Sequence, residues 1–152
     1  MSDLQGSNRL RIGRVSEPGR IYLLTSVTRD RLPYFADWRI GRLLVNAFRQ
    51  ASDEHAVKSL AWVVMPDHFH WLVELQDAPL DVLMSKTKSR TFYALKNETG
   101  FKGRLWQKGY HDRAVRKEED LPAIARYIVA NPIRAGLVTR VHDYPLWDAV
   151  WI

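Results

Sequence analysis

The centre of the chain contains two apolar segments separated by a Pro-Asp pair: residues 59–75 read SLAWVVMPDHFHWLVEL. Both segments, Ser59 to Met65 and Phe69 to Leu75, are rich in valine, leucine and aromatic residues, which favour β-strands. Pro66-Asp67 interrupts the run, because proline and aspartate are typical of turns. We therefore predict two strands that pair like a hairpin.

The flanking sequence alternates between strand and helix signals. Five further elements are expected: a strand over Arg20 to Thr28, a helix from Asp37 to about His55, a helix from Leu80 to Asn97, a strand within Arg104 to Arg116 and a helix from Glu119 to Ala130. The first of these strands is almost entirely apolar or β-favouring, which is typical of a central strand buried on both faces.

The resulting order, βαββαβα, predicts a single-domain α+β fold: a ferredoxin-like sandwich with an antiparallel sheet and helices on one face. Residues 1–18 read as a basic N-terminal arm, and 19–152 as the folded domain. Because such folds host many functions, the function has to be argued from particular side chains.

Composition excludes several classes of protein. The chain has 152 residues, 46% of them hydrophobic and 26% charged, which fits one ordinary globular domain. It has no cysteine, so disulfide scaffolds, cysteine nucleophiles and thiolate metal sites are excluded. Neither a long apolar run nor a signal-peptide core is visible, and we expect a cytoplasmic protein without membrane contact.

Positive charge is concentrated in two parts of the sequence. The net charge is +6, and four arginines lie in the first 20 residues. Nine basic residues fall between positions 85 and 116: Lys86, Lys88, Arg90, Lys96, Lys102, Arg104, Lys108, Arg113 and Arg116. Such clustering favours a polyanionic partner, most often nucleic acid, although a solvated basic face without a partner has the same composition.

Two residue pairs could carry chemistry. His68 and His70 lie two apart at the start of a strand, so both imidazoles point to one side and could share a divalent metal. Tyr127 and Asn131 lie four apart on the last helix, so a tyrosine nucleophile and an amide ligand could share one face. The alternatives are half-buried histidines with hydrogen-bond partners, and an ordinary tyrosine beside a helix-closing asparagine.

Four motifs in order resemble one family. They are GRIYLLT at 19–25, WVVMPDHFH at 62–70, LWQKGY at 105–110 and YIVANPIRAGLV at 127–138. This series resembles the REP-associated tyrosine transposases, which belong to the HUH class of single-strand nucleases and are related to the insertion-sequence-200-like transposases. The similarity extends from Gly19 to about Trp151.

The resemblance implies a function and a site. His68, His70 and Asn131 would bind Mg²⁺ or Mn²⁺, and Tyr127 would be the catalytic nucleophile. The family's activity is that of a DNA strand transferase: it cleaves structured single-stranded DNA of the REP-hairpin type, forms a 5′-phosphotyrosine and a free 3′-hydroxyl, and rejoins strands. Whether the protein is a monomer or a homodimer is left open.

Basic and aromatic residues then become candidate DNA contacts, because lysine and arginine neutralise phosphates and aromatic rings stack on bases. The candidates are Arg11, Arg14, Lys86, Lys88, Arg90, Trp106, Arg113 and Arg116. Two rival readings stay open at this point: a non-catalytic protein that binds DNA or RNA hairpins, and a metal-dependent nuclease that uses water and leaves no covalent adduct.

Overall fold

Five strands and four α-helices occur in the part of the chain that this computed structural model describes, residues 18–116 and 118–151. Its strands and α-helices are β1 (Ile21–Val27), α1 (Trp38–Asp53), β2 (Val57–Met65), β3 (His68–Leu75), α2 (Leu80–Thr99), β4 (His111–Ala114), α3 (Leu121–Val129), α4 (Asn131–Arg134) and β5 (Trp147–Ala149). Short 3₁₀ helices occur at Arg29–Arg31, Tyr34–Ala36 and Val141–Asp143.

The strands form one antiparallel sheet in the order β4-β1-β3-β2-β5. The predicted α+β class and the predicted order βαββαβα are confirmed. The structure adds α4 and β5 after the last predicted helix, and β5 has only three residues, too few for an alternating pattern to be visible in the sequence.

Helices α1 and α2 cover one face of the sheet. Phe48 of α1 and Leu83 of α2 join a core with Phe69 and Trp71 of β3. Helix α1 starts where predicted, because the Asp37 side chain accepts a hydrogen bond from the amide of Arg39. This face therefore contains the larger part of the apolar core.

Helix α3 packs on the opposite face, which differs from the prediction that all helices share one face. Its apolar residues, Ala125, Ile128 and Val129, form a second core with Leu72 of β3 and Val63 of β2. The physical reason lies in β1 and β2, which carry apolar residues on both sides and need cover on both. The order of elements along the chain does not reveal which face a helix takes.

Residues 1–17 lie outside the described part of the chain. Most of the predicted basic arm and the candidate DNA contacts Arg11 and Arg14 belong to this segment. The division into an arm and a domain stays a prediction. None of the helices formed by residues 18–116 and 118–151 has the length and apolar character needed to cross a bilayer.

Candidate active site

The two histidines of β3 lie on the face of the sheet that α3 covers. His68 is opposite Val27 of β1 and His70 is opposite Thr25, while the intervening Phe69 is buried on the other face. The two imidazole rings are 5.0 Å apart between centroids and nearly perpendicular, at 80°. The period-two spacing of the sequence therefore brings both rings together as predicted.

Each ring is oriented by a hydrogen bond at Nδ1. The Nδ1 of His68 lies 2.7 Å from Oδ1 of Asp67, and the Nδ1 of His70 lies 2.9 Å from Oγ1 of Thr25. A carboxylate can only accept, so His68 donates from Nδ1 and keeps the lone pair of Nε2 for another partner. A histidine held in this way by a carboxylate is typical of metal ligands.

Asp67 also joins the histidine pair to the loop after β1. Its Oδ2 lies 3.2 Å from Nη1 of Arg31, and its backbone carbonyl accepts a hydrogen bond from the amide of Thr28. Burial by itself raises the pKa of Asp67, but the hydrogen bonds and charges of His68 and Arg31 outweigh it and lower that pKa below its ordinary value. The carboxylate is therefore ionised at neutral pH.

His70 is held in its neutral form. Burial, with smaller contributions from the charges of His68 and Arg134, lowers its pKa to about 4. A neutral imidazole is the form that binds metal ions, so no proton has to leave His70 at neutral pH before a metal can bind.

Tyr127 and Asn131 lie at the junction between α3 and α4. The Tyr127 side chain is 66% exposed, which leaves it accessible to a large substrate. Nδ2 of Asn131 donates to the carbonyl of Ile128 at 2.8 Å, and no hydrogen bond within the described residues uses its Oδ1. That oxygen is the atom a hard divalent cation would need.

The described residues contain no group of three or more histidine and carboxylate side chains placed to hold a metal. A cation at the His68–His70 pair would therefore need oxygen atoms of another kind, such as an amide, water or a substrate phosphate. The Asn131 amide has the chemistry required of such a ligand. The donor set of two imidazoles and one amide fits Mg²⁺ or Mn²⁺, and Mn²⁺ tolerates imidazole better.

The predicted DNA contacts are divided between the two faces of the sheet. Arg113 lies opposite Leu23, on the side of the histidines, and pairs with Glu119 at 2.9 Å. The side chain of Arg116, just after β4, is exposed. Lys86, Lys88 and Arg90 belong to α2, on the other side. The structure therefore does not gather these residues into one patch.

Several of these candidates also have structural contacts. Nζ of Lys88 donates to the carbonyls of Gln107 and Gly109, at 2.9 and 2.8 Å. Arg90 forms an ion pair with Glu54, the residue directly after α1. Trp106 donates from Nε1 to the carbonyl of Lys88 at 3.0 Å and is half-buried. Among the three basic candidates of α2, Lys86 is the exposed one.

The structure points to three site residues that the sequence reasoning missed. Thr25 and Asp67 orient the histidines, and Arg134 contacts Tyr127. Asp67 directly precedes His68, so a carboxylate partner could have been suspected from that spacing. Nothing in the sequence pairs Thr25 with His70, because that contact depends on the register between β1 and β3.

Comparisons with known proteins agree with this geometry. The family described as "Transposase IS200 like" matches residues 19–131, a span that includes both histidines, Tyr127 and Asn131. The chain is 25% identical over 138 residues to a "Putative REP-associated tyrosine transposase" of Haemophilus influenzae, covering 84% of this chain and 78% of that protein. It is 28% identical over 108 residues to a REP-associated tyrosine transposase of Escherichia coli K12, covering 68% of this chain and 61% of that one.

Solved structures show the same fold. A REP-associated tyrosine transposase bound to a REP hairpin superposes with a TM-score of 0.74 at 25% identity, over 88% of this chain and 79% of that one. A putative transposase from Deinococcus radiodurans superposes with a TM-score of 0.51 at 23% identity, over 76% of this chain and 92% of that one.

Fold and matches together define the class as transposases whose core is a single antiparallel sheet with helices. The chain belongs to the IS200-like transposase family, and the resemblance to its REP-associated branch is confirmed by the relatives it matches.

Proposed function

We propose that this protein is a metal-dependent tyrosine transposase that cleaves and rejoins structured single-stranded DNA of the REP-hairpin type. The observation that carries the proposal is that the His68–His70 pair and the helix bearing Tyr127 lie on the same face of the sheet. The proposed substrate is supported by a structural relative that was solved with a REP hairpin.

The proposed metal ligands are Nε2 of His68, Nε2 of His70 and Oδ1 of Asn131. When bound, a divalent cation supplies positive charge that polarises a phosphate oxygen. Asp67 and Thr25 keep the two imidazoles in a fixed orientation through their Nδ1 atoms. Hydrogen bonds of this kind, made by residues that do not bind the metal themselves, fix the orientation of the ligands and raise the metal affinity of the site.

Tyr127 is the proposed nucleophile. Its Oη loses its proton and attacks the scissile phosphorus, so that a bond between phosphorus and Oη forms and the P–O3′ bond breaks. The P–O5′ bond is kept, which leaves the downstream strand attached as a 5′-phosphotyrosine. The leaving 3′-oxygen takes up a proton and becomes a free 3′-hydroxyl. Because one phosphodiester replaces another, a 3′-hydroxyl can later attack the phosphotyrosine and join strands without an external energy source.

Adduct formation on a denaturing gel tests the proposal. A REP-type hairpin with single-stranded flanks is labelled at its 3′ end, because the tyrosine keeps the fragment downstream of the cleaved bond. We expect a shifted band with Mn²⁺ or Mg²⁺ that disappears with EDTA, with Tyr127→Phe and with His68→Ala. The control is Tyr93→Phe, which changes an exposed tyrosine on α2, across the sheet from the histidines.

Other results would overturn the proposal in distinguishable ways. Cleavage without a shifted band would indicate a nuclease that uses water. Binding on a native gel without cleavage, across a panel of hairpins, would indicate a binding protein. A shifted band that persists in Tyr127→Phe would assign the covalent bond to another residue.

A further inference from the structure

We propose that Arg134 is a positioning residue that fixes the ring of Tyr127 for attack. This inference rests on the proposed function. The Nη2 of Arg134 donates to the backbone carbonyl of Tyr127 at 2.6 Å, and the guanidinium carbon lies 3.7 Å from the centroid of the Tyr127 ring. The same side chain therefore contacts both the backbone and the ring of one residue.

The break between α3 and α4 makes this contact possible. Helix α3 ends at Val129, and the separate short helix α4 starts at Asn131 and has Pro132 as its second residue. Proline lacks the amide hydrogen needed to continue the hydrogen bonding of α3, so the first helix ends before it. Arg134, seven residues after Tyr127, then reaches back over the ring.

The exposure of Tyr127 explains why its ring requires a contact of this kind. Its side chain is 66% exposed, so the protein core does not hold its ring in place. A planar guanidinium stacked on an aromatic face limits the orientations of that ring, and the two groups attract each other electrostatically. The nucleophile is thereby held ready before DNA binds.

The charge of Arg134 acts on the same site. Among the described residues Arg134 forms no ion pair with a carboxylate, so its charge is not neutralised locally. The guanidinium carbon lies 3.7 Å from the centroid of the Tyr127 ring, so this charge is close to the ring that carries the attacking oxygen. A positive charge there favours the anion that develops on the attacking oxygen.

The test compares Arg134→Gln, Arg134→Lys and the control Arg126→Gln, which removes an exposed arginine directly before Tyr127. The rate of adduct formation is measured in a single turnover with saturating hairpin, and the hairpin Kd is measured separately. We expect Arg134→Gln to lower the rate by about 10- to 100-fold, because small misplacements of a reacting group have effects of that size. The Kd should change little.

Arg134→Lys separates charge from stacking. Lysine keeps the charge but lacks the planar fork, so we expect only partial recovery of the rate. Melting temperatures of all three variants show whether each is folded. If Arg134→Gln does not fold, the rate of Arg134→Lys still tests the inference.

Three results would overturn the inference. One is a wild-type rate in Arg134→Gln. Another is an unchanged rate at saturation together with a weaker Kd, which would make Arg134 only a DNA contact. The third is an equal loss in Arg126→Gln. If the wild-type protein itself forms no adduct, the proposed function fails instead.

Discussion

Replacing Asp67 by asparagine is expected to weaken metal binding at the histidine pair while leaving hairpin binding intact. The Asp67 carboxylate accepts from Nδ1 of His68 at 2.7 Å and lies 3.2 Å from Nη1 of Arg31. Asparagine has nearly the same shape and can still accept one hydrogen bond through its oxygen. The change therefore removes the negative charge and leaves most of the packing.

The size of the effect follows from the hydrogen bond that is weakened. A hydrogen bond to a charged group contributes about 1.5–3 kcal/mol, and a neutral one about half as much. The difference of about 0.75–1.5 kcal/mol corresponds to a loss of metal affinity of about 4- to 12-fold. Changes of supporting residues around metal sites typically lower affinity by about 10- to 100-fold, so this loss reaches the lower end of that range.

The assay is a titration of the protein with Mn²⁺, in which binding is measured as the decrease of the electron paramagnetic resonance signal of the free ion. The control is Asp30→Asn, because Asp30 is an exposed aspartate of the neighbouring loop that pairs only loosely with Arg29, at 3.7 Å. Asparagine also tolerates the left-handed backbone at that position, where φ is 55°. Equal Mn²⁺ affinity in the wild type and Asp67→Asn would refute the role given to the carboxylate.

Three further predictions test other parts of the structure. In metal-free protein the free energy of unfolding should fall as the pH drops from about 6.5 to about 4, by up to about 1.4 kcal/mol per pH unit. The reason is that the unfolded chain protonates His70 in this range and the folded chain does not. In His70→Gln the midpoint of urea unfolding should depend less on pH over the same range. Lys88→Gln should lower the melting temperature, since its ammonium group binds two loop carbonyls, whereas Lys86→Gln should leave it unchanged and reduce the salt dependence of hairpin binding. Gly41→Ala should cost about 1 kcal/mol net in urea unfolding, because overlap of the new Cβ with Cδ1 of the buried Leu146 costs about 1–3 kcal/mol and the better helix propensity of alanine within α1 offsets about 1 kcal/mol of it. A midpoint higher than that of the wild type would contradict that packing.

The sequence was most informative where one residue pattern had one structural solution. The apolar segments around Pro66-Asp67 formed adjacent strands because both are β-favouring and the turn between them is short. The H-x-H spacing put His68 and His70 on one side, since side chains alternate along a strand. The roles of these histidines stay predictions, but their proximity followed from local geometry alone.

Long-range contacts were beyond the reach of the sequence pattern. The charge clustered in the sequence between positions 85 and 116 does not form one surface, because this segment runs through α2 and a loop into the edge strand β4, where Arg113 lies on the side of the histidines and opposite α2. The contacts of Lys88 and Arg90 depend on how α2 packs against the loop and α1. The contact between Arg134 and Tyr127 depends on how α4 is oriented relative to α3. Pro132 indicates that the first helix ends, but it does not determine that orientation.

Locating the covalent bond tests the central claim most directly. After reaction with hairpin DNA and Mn²⁺, the adduct is digested with nuclease and trypsin and analysed by mass spectrometry. Trypsin cleaves after arginine and lysine, so the six tyrosines of the chain fall in six different peptides, and Tyr127 lies in YIVANPIR, residues 127–134. We predict a nucleotide attached to that peptide at Tyr127. A nucleotide on the peptide of Tyr93 or Tyr110, or cleaved DNA with no modified peptide, would contradict the account.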